Sequence, residues 1–227
     1  MDPQTLMASS GTHTTPLNNL KLLQFKICIF GGKAVGKTSF SVQYVESHFV
    51  ESHYPTNVQN EFTKLIRYKN NEYTLEIVDT AGQDESSMVN MRSLMGCKGI
   101  ILCYSVVSRP SFELVRLIWE KIVDQVGNDD IPVVIVANKI DLRDKTNTKY
   151  RPDQIVTRVE GEQLAEELSG TIKTNSNGNG NKIKFGFIET SAKLNINIEE
   201  AIMLSLKKME QKATNSFDGD DSKCVLM

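Results

Sequence analysis

The sequence predicts an α/β domain of three layers: a six-stranded, mostly parallel sheet with one antiparallel edge strand, and helices on both faces. Three observations carry this. Short apolar runs alternate with segments of helical periodicity along most of the 227 residues, the signature of strand–helix–strand crossovers. Two of the runs are joined through Asn70-Asn71, a hairpin-type turn that requires one antiparallel pair. Residues Gly31 to Thr38, GGKAVGKT, follow the apolar run LLQFKICIF and open a helical segment, which is the phosphate-loop pattern in its strand–turn–helix context.

Taken in order, strands are expected near residues 22–30, 60–68, 72–78, 99–105, 131–137 and 183–189. Helices are expected near 37–46, 109–126, 153–169 and 197–211. In the second of these, Phe112, Val115, Ile118, Trp119 and Ile122 recur at helical spacing, a stripe that reads as core packing. Residues 84–96 are polar and methionine-rich and read as a further helix in a switch segment.

The phosphate loop makes Lys33, Ala34, Val35, Gly36, Lys37, Thr38 and Ser39 candidate nucleotide contacts. Backbone N–H groups and the positive end of the helix converge there on a polyphosphate. Lys37 is placed to reach the β- and γ-phosphates, and the Thr38 hydroxyl to ligate a bridging Mg²⁺. Gly31 and Gly36 are expected where a Cβ would obstruct the backbone wrapping the phosphates.

Three further segments sit at strand ends. Asp79-Thr80-Ala81-Gly82-Gln83 follows TLEIV: Asp79 can hold the metal through water, Gly82 can offer its N–H to a γ-phosphate, and Gln83 can orient an attacking water. Asn138-Lys139-Ile140-Asp141 follows VVIVA, where the Asp141 carboxylate can accept from the N1–H and N2 amine of guanine, a donor pair adenine lacks. Glu189-Thr190-Ser191-Ala192-Lys193 follows KFGFI, with a backbone N–H near Ala192 facing the guanine O6 and Ser191 and Lys193 beside it. Each segment alone is a weak signal; in this order they converge on one crevice.

On these motifs the chain resembles the Ras family of small GTPases, and within it the Rheb branch. The resemblance covers roughly residues 20–210 and is carried by VDTAGQDE at 78–85, FTKLIRYKNNEYTLEIVD, YSVVSRPSFE and the basic Lys33 inside the phosphate loop. It implies that Phe49, twelve residues past Lys37, stacks on guanine, although a core aromatic is the other reading. It also implies that Thr56, eighteen past Thr38, senses Mg²⁺ and the γ-phosphate and belongs with Gln83 and Lys37 to the catalytic set. Two departures stand out. The family's usual Tyr-Asp-Pro-Thr reads His53-Tyr54-Pro55-Thr56, which puts His53 at the nucleotide-capping position, and one extra residue lies within Asn57–Glu61, so effector contacts do not transfer across that stretch.

Composition excludes several classes. A net charge of −2 gives no electrostatic footprint for nucleic acid. Four cysteines without paired spacing give no disulfide framework or Cys/His metal pattern, which suits a reducing compartment, and the three histidines read as scattered surface residues. No apolar run reaches membrane-spanning length and the N-terminus lacks a signal-peptide pattern.

The domain organisation expected is a Ser/Thr/Asn-rich disordered extension at 1–19, one GTPase domain over 20–212 with a low-complexity insertion at 169–182, and a flexible tail at 213–227. The tail ends in Cys224-Val225-Leu226-Met227, a CaaX sequence that predicts farnesylation of Cys224 by a prenyltransferase. A single isoprenoid without a polybasic cluster gives reversible attachment.

The function expected is a monomeric GTP-binding and GTP-hydrolysing switch, slow without an activating protein, whose segments 51–62 and 83–95 are ordered by GTP and Mg²⁺ and relaxed with GDP. Resemblance to the Rheb branch implies a tuberin-type GTPase-activating protein, the target of rapamycin kinase complex as downstream partner, and the cytoplasmic face of cell or endolysosomal membranes. A Ras-proper switch acting through kinase Ras-binding domains and a nearly non-hydrolysing GTP-bound scaffold stay open. A nucleoside kinase is disfavoured by Asn138-Lys139-Ile140-Asp141 and the lack of an arginine-rich lid.

Overall fold

A computed structural model describes residues 23–51, 56, 58–69, 71–127, 131–143, 149–171 and 185–217. Among these, one sheet holds six strands in the order β2-β3-β1-β4-β5-β6. They are β1 (Leu23–Gly31), β2 (Asn60–Tyr68), β3 (Asn71–Asp79), β4 (Gly99–Ser105), β5 (Val133–Asn138) and β6 (Gly186–Glu189). β2 runs antiparallel to β3 and every other pair is parallel, as expected.

Burial follows position in the sheet. β4 and β5 are buried along their whole length and are accordingly almost continuously apolar, GIILCYS and VVIVAN. The edge strand β2 alternates between exposed and half-buried residues. Helices α1 (Lys37–Glu46) and α5 (Ile198–Phe217) cover one face; α3 (Arg109–Val126) and α4 (Arg158–Thr171) cover the other. Each face has its own apolar core, Phe40, Ile77, Val136 and Ile202 on the α1/α5 side and Phe112, Ile118, Trp119 and Leu164 on the α3/α4 side. The helical stripe expected in α3 lies entirely inside the second core.

Several boundaries differ from those expected, each for a local reason. The hairpin turn lies one residue earlier than Asn70-Asn71, because Asn71 already pairs with Tyr68 and Lys69 takes the left-handed conformation, φ 46°. α4 begins at Arg158 because Pro152–Gln154 forms a separate 3-10 turn. Thr157 and Glu160 then cap the helix reciprocally: the Thr157 N–H donates to Glu160 Oε2 at 2.8 Å and the Glu160 N–H to Thr157 Oγ1 at 3.3 Å. β6 starts at Gly186, with residues 183 and 184 outside the described set.

The helix expected over 84–96 shrinks to α2, Met91–Leu94. Asp84 is the cause: its carboxylate accepts from the Ser86 N–H and from the hydroxyls of Ser86 and Ser87, closing a turn that competes with helix. Asn90 starts the helix afresh by accepting from the Arg92 N–H at 3.0 Å. No helix among the described residues is long and apolar enough to cross a membrane. The expected extension at 1–19, His53, most of the 169–182 insertion and Cys224 lie outside the described residues, whereas 169–171 are helical in α4 and α5 reaches Phe217.

Candidate functional site

The carboxyl ends of β1, β3, β5 and β6 bring the candidate segments together at the crevice where β1 has β3 on one side and β4 on the other. The loop after β1 leads straight into α1, with Gly36 as N-cap in a left-handed conformation, φ 97°. A side chain at Gly36 would strike Asn138 Nδ2 at 2.5 Å, and one at Gly31 would strike the Cys103 carbonyl of β4 at 2.1 Å. These glycines are therefore required by the protein's own backbone and clamp, before any phosphate is considered.

Lys37 is buried and donates to the carbonyls of Gly31 at 3.0 Å and Gly32 at 2.9 Å, which holds the ammonium under the loop. Burial pulls its pKa below the ordinary lysine value, with Asp79 acting in the opposite direction. Val35 is buried, Ala34 takes φ 58°, and Ser39 follows on the first turn of α1.

The Asn138 segment forms a clamp. Asn138 is buried, donates through Nδ2 to the Val35 carbonyl at 3.0 Å, and accepts through Oδ1 from the Thr190 hydroxyl at 3.2 Å and the Ala192 N–H at 3.3 Å. One amide thus ties the phosphate loop to the segment after β6. Lys139, in a left-handed conformation at φ 67°, donates to the Ala34 carbonyl at 2.6 Å, and burial lowers its pKa. Asp141 stands in a 3-10 turn, where its Oδ1 accepts from the Ser191 hydroxyl.

Between these segments lies a cavity of about 330 Å³ whose walls include Ala34, Gly36, Phe49, Asp141, Ala192 and Lys193. Phe49 both lines this cavity and packs against the α1/α5 core, so the two readings of it are compatible. Val50, Glu51 and Leu142 also line it; no motif points to Val50 or Leu142, and Glu51 opens the expected switch segment 51–62. Glu51 pairs with Lys193 at 3.6 Å across its rim.

A second cluster is made of oxygens. The Thr38 hydroxyl is 2.6 Å from Asp79 Oδ2, to which it donates, and 2.8 Å from the Thr56 hydroxyl. Asp79 has no exposed surface, and its other oxygen, Oδ1, has no hydrogen-bond partner among the described residues. Burial raises the carboxyl's pKa, partly opposed by the Thr38 hydrogen bond, the Lys37 charge and the nearby Asn60 side chain. A buried carboxylate oxygen left without a donor is costly unless a cation meets it.

Gln83 closes the loop side. Its N–H donates to the Gly31 carbonyl at 3.1 Å, Gln83 and Gly32 form a parallel bridge, and its residue is buried. Gly82 lies so close to the loop that a Cβ would meet Lys33 Cα at 2.7 Å. Lys33 turns outward, pairing through Nζ with Asp84 Oδ2 at 2.9 Å, and this partner holds the Asp84 carboxyl well below the usual range. Lys121 of α3 donates to the carbonyls of Glu85 and Ser87 and so anchors the same segment. A lone lysine on a helix gives no sequence signal for that role.

A family model described as Ras family matches residues 26–211. The chain is 44% identical to GTP-binding protein RHB1 of Saccharomyces cerevisiae over the whole of both chains. It is 40% identical to small monomeric GTPase RhbA of Aspergillus fumigatus over 90% of this chain and 97% of the relative, and 37% identical to human GTP-binding protein Rheb over 89% and 96%. The chain belongs to the Ras family, a family of small GTP-hydrolysing switches. Within it the similarity is to Rheb-named proteins of fungi, Dictyostelium and animals, which decides between the Rheb type and a Ras proper.

Proposed function

We propose that this Rheb-type GTPase activates the target of rapamycin kinase complex when GTP-bound and is switched off by a tuberin-type activating protein. The observation that carries the nucleotide chemistry is the junction of the clamped base cavity with the oxygen cluster at Thr38, Thr56 and Asp79. Asp141 receives the guanine N1–H and N2 amine, Phe49 covers the base, and a backbone N–H near Ala192 faces O6. Lys37 and the loop N–H groups hold the β- and γ-phosphates.

The oxygen cluster fits Mg²⁺, since the unpartnered Asp79 Oδ1 and two hydroxyls are hard oxygen donors. Thr38 and Thr56 would hold the ion directly and Asp79 through water, and the ion supplies neutralising charge across the phosphates. Gln83 orients the water that attacks the γ-phosphorus. Lys33, drawn toward Asp84, leaves that approach open but occupies the flank an inserted arginine would use. Attachment to cytoplasmic membrane faces rests on farnesylated Cys224, and Cys224→Ser should release the protein from membranes regardless of salt.

Single-turnover hydrolysis tests the assignment. Intrinsic turnover should be slow, stimulation by a tuberin-type domain strong and by a Ras-type domain weak. GTP-loaded protein, and not GDP-loaded protein, should stimulate the kinase complex. Full stimulation by a Ras-type domain, or kinase stimulation independent of the nucleotide, would overturn it.

A further inference from the structure

We propose that Gln59 is a positioning residue that carries the state of the first switch segment to α2, through a side-chain bond to Ser93 that is made while Thr56 is docked on Thr38 and broken when Thr56 leaves. The proposal rests on the switch reading above. Ser93 is buried in α2, and its hydroxyl donates to Gln59 Oε1. Gln59 Nε2 donates in turn to Glu61 Oε1 at 2.9 Å, which orients the amide so that its oxygen is the atom offered to Ser93. Of residues 58–61, Gln59 alone is half-buried; Val58, Asn60 and Glu61 are exposed. The same stretch, 57–61, is where the sequence carries one residue more than the family spacing.

Gln59 stands at a joint. The next residue, Asn60, already pairs with Asp79 in the sheet, whereas the hydroxyl of Thr56, three residues back, lies 2.8 Å from that of Thr38. Three residues span at most about 11 Å, so the chain on the free side of Gln59 is held taut between two fixed points only while Thr56 is docked. The structure shows both contacts at once. Release of Thr56 after hydrolysis frees that side, and the Gln59 amide then exchanges Ser93 for water.

α2 is built to respond. It has four residues, too few to persist on its own backbone bonds. Ser93 anchors it twice: its carbonyl accepts from the Cys28 thiol of β1 at 2.8 Å, and its hydroxyl donates to Gln59. The first anchor comes from the middle of the sheet and does not depend on the nucleotide; the second comes from the switch segment. A buried hydroxyl that loses its acceptor is costly, so loss of Gln59 loosens α2 without detaching it. Exposed Met88, Met91 and Met95 lie on α2 and beside it, so the loosening reaches the surface of the protein. One hydrogen bond is worth about fivefold in an equilibrium. A bond made in the GTP form alone must favour GTP over GDP by that same factor, because coupling between two sites is reciprocal.

The test uses the full chain loaded with GDP or with a non-hydrolysable GTP analogue and Mg²⁺, with loading confirmed by chromatography of the released nucleotide. Amide exchange over residues 91–97, which include the Ser93 and Cys97 N–H groups bonded to the Asn90 and Leu94 carbonyls, should be about fivefold slower in the GTP form than in the GDP form. Gln59→Ala should raise the GTP-form rate to that of the GDP form, leave the latter unchanged, and lower the ratio of GTP to GDP affinity about fivefold. Ser93→Ala should do the same, and the double variant no more than either single one, because each removes the same bond. Faster exchange in both forms with an unchanged affinity ratio is what a merely structural contact would give, and it would overturn the proposal. So would equal exchange in the two forms of the parent, or additive effects in the double variant. A chain that takes up no guanine nucleotide would overturn the switch reading itself, and the Gln59 coupling with it.

Discussion

The two ends of the crevice are built differently. At the base end, Asn138 is buried and ties Val35, Thr190 and Ala192 into one unit, with Lys139 adding the Ala34 carbonyl. At the proposed γ-phosphate end, the contacts are exposed Lys33 with half-exposed Asp84, Lys121 with two loop carbonyls, and the Thr38 hydroxyl bonded to Asp79 and to the Thr56 hydroxyl. A buried, fully partnered amide network resists rearrangement, whereas exposed ion pairs contribute at most about 1 kcal/mol each. On the proposed assignment, guanine recognition rests on a fixed scaffold, and the end proposed to distinguish GTP from GDP is held by contacts that exchange easily.

The largest effect should come from breaking the rigid end. Asp141→Asn presents a donor where the N2 amine needs an acceptor, and should weaken GTP on the order of 10²-fold or more while favouring xanthosine nucleotides. Competition binding with both nucleotides checks it; unchanged GTP affinity would remove Asp141 from the base site.

Asp79 sharpens the comparison because its effect reverses with the ligand. Its raised folded pKa means that the native state holds the proton more tightly than the unfolded chain, so stability falls as pH rises through the shifted value. In EDTA, without nucleotide, Asp79→Asn should therefore melt higher than the parent at pH 8, and the gap should close as pH falls toward the carboxylate range. With GTP and Mg²⁺ the order should invert. A thermal melt series that shows the parent higher under both conditions would contradict the cation assignment.

Much of the fold and of the candidate site was legible in the sequence where the segments are contiguous. Gly31 to Thr38, Asp79 to Gln83 and Asn138 to Asp141 each sit at the end of a strand that apolar composition alone announces. The rest depends on partners far along the chain. Nothing local signals that Thr190 orients Asn138, that Lys121 reaches across from α3, or that Glu51 meets Lys193. The helix expected at 84–96 is confined to Met91–Leu94 because Asp84, Ser86 and Ser87 satisfy one another locally, which outweighs the helical preference of the methionines that follow.

Smaller effects are expected at the exposed end. Lys33→Gly removes the ion pair with Asp84 and clears the flank, so intrinsic hydrolysis should change by less than about tenfold while stimulation by a Ras-type domain increases; an arginine finger can be worth roughly 10³ to 10⁵. No gain in that stimulation would show that Lys33 does not obstruct the site. Smallest of all, Glu51→Gln breaks the rim pair with Lys193 and should speed nucleotide release less than about fivefold, with the difference vanishing at high salt. A larger, salt-independent change would mean that the rim pair contributes to binding as the buried clamp does.

The central claim, a guanine-specific switch, is tested most directly by identifying the nucleotide released when the purified protein is denatured. Chromatography should find GDP and GTP close to one per protein molecule, with no adenine nucleotide. Adenine nucleotides at comparable occupancy, or an empty protein that fails to take up GTP with Mg²⁺, would contradict it.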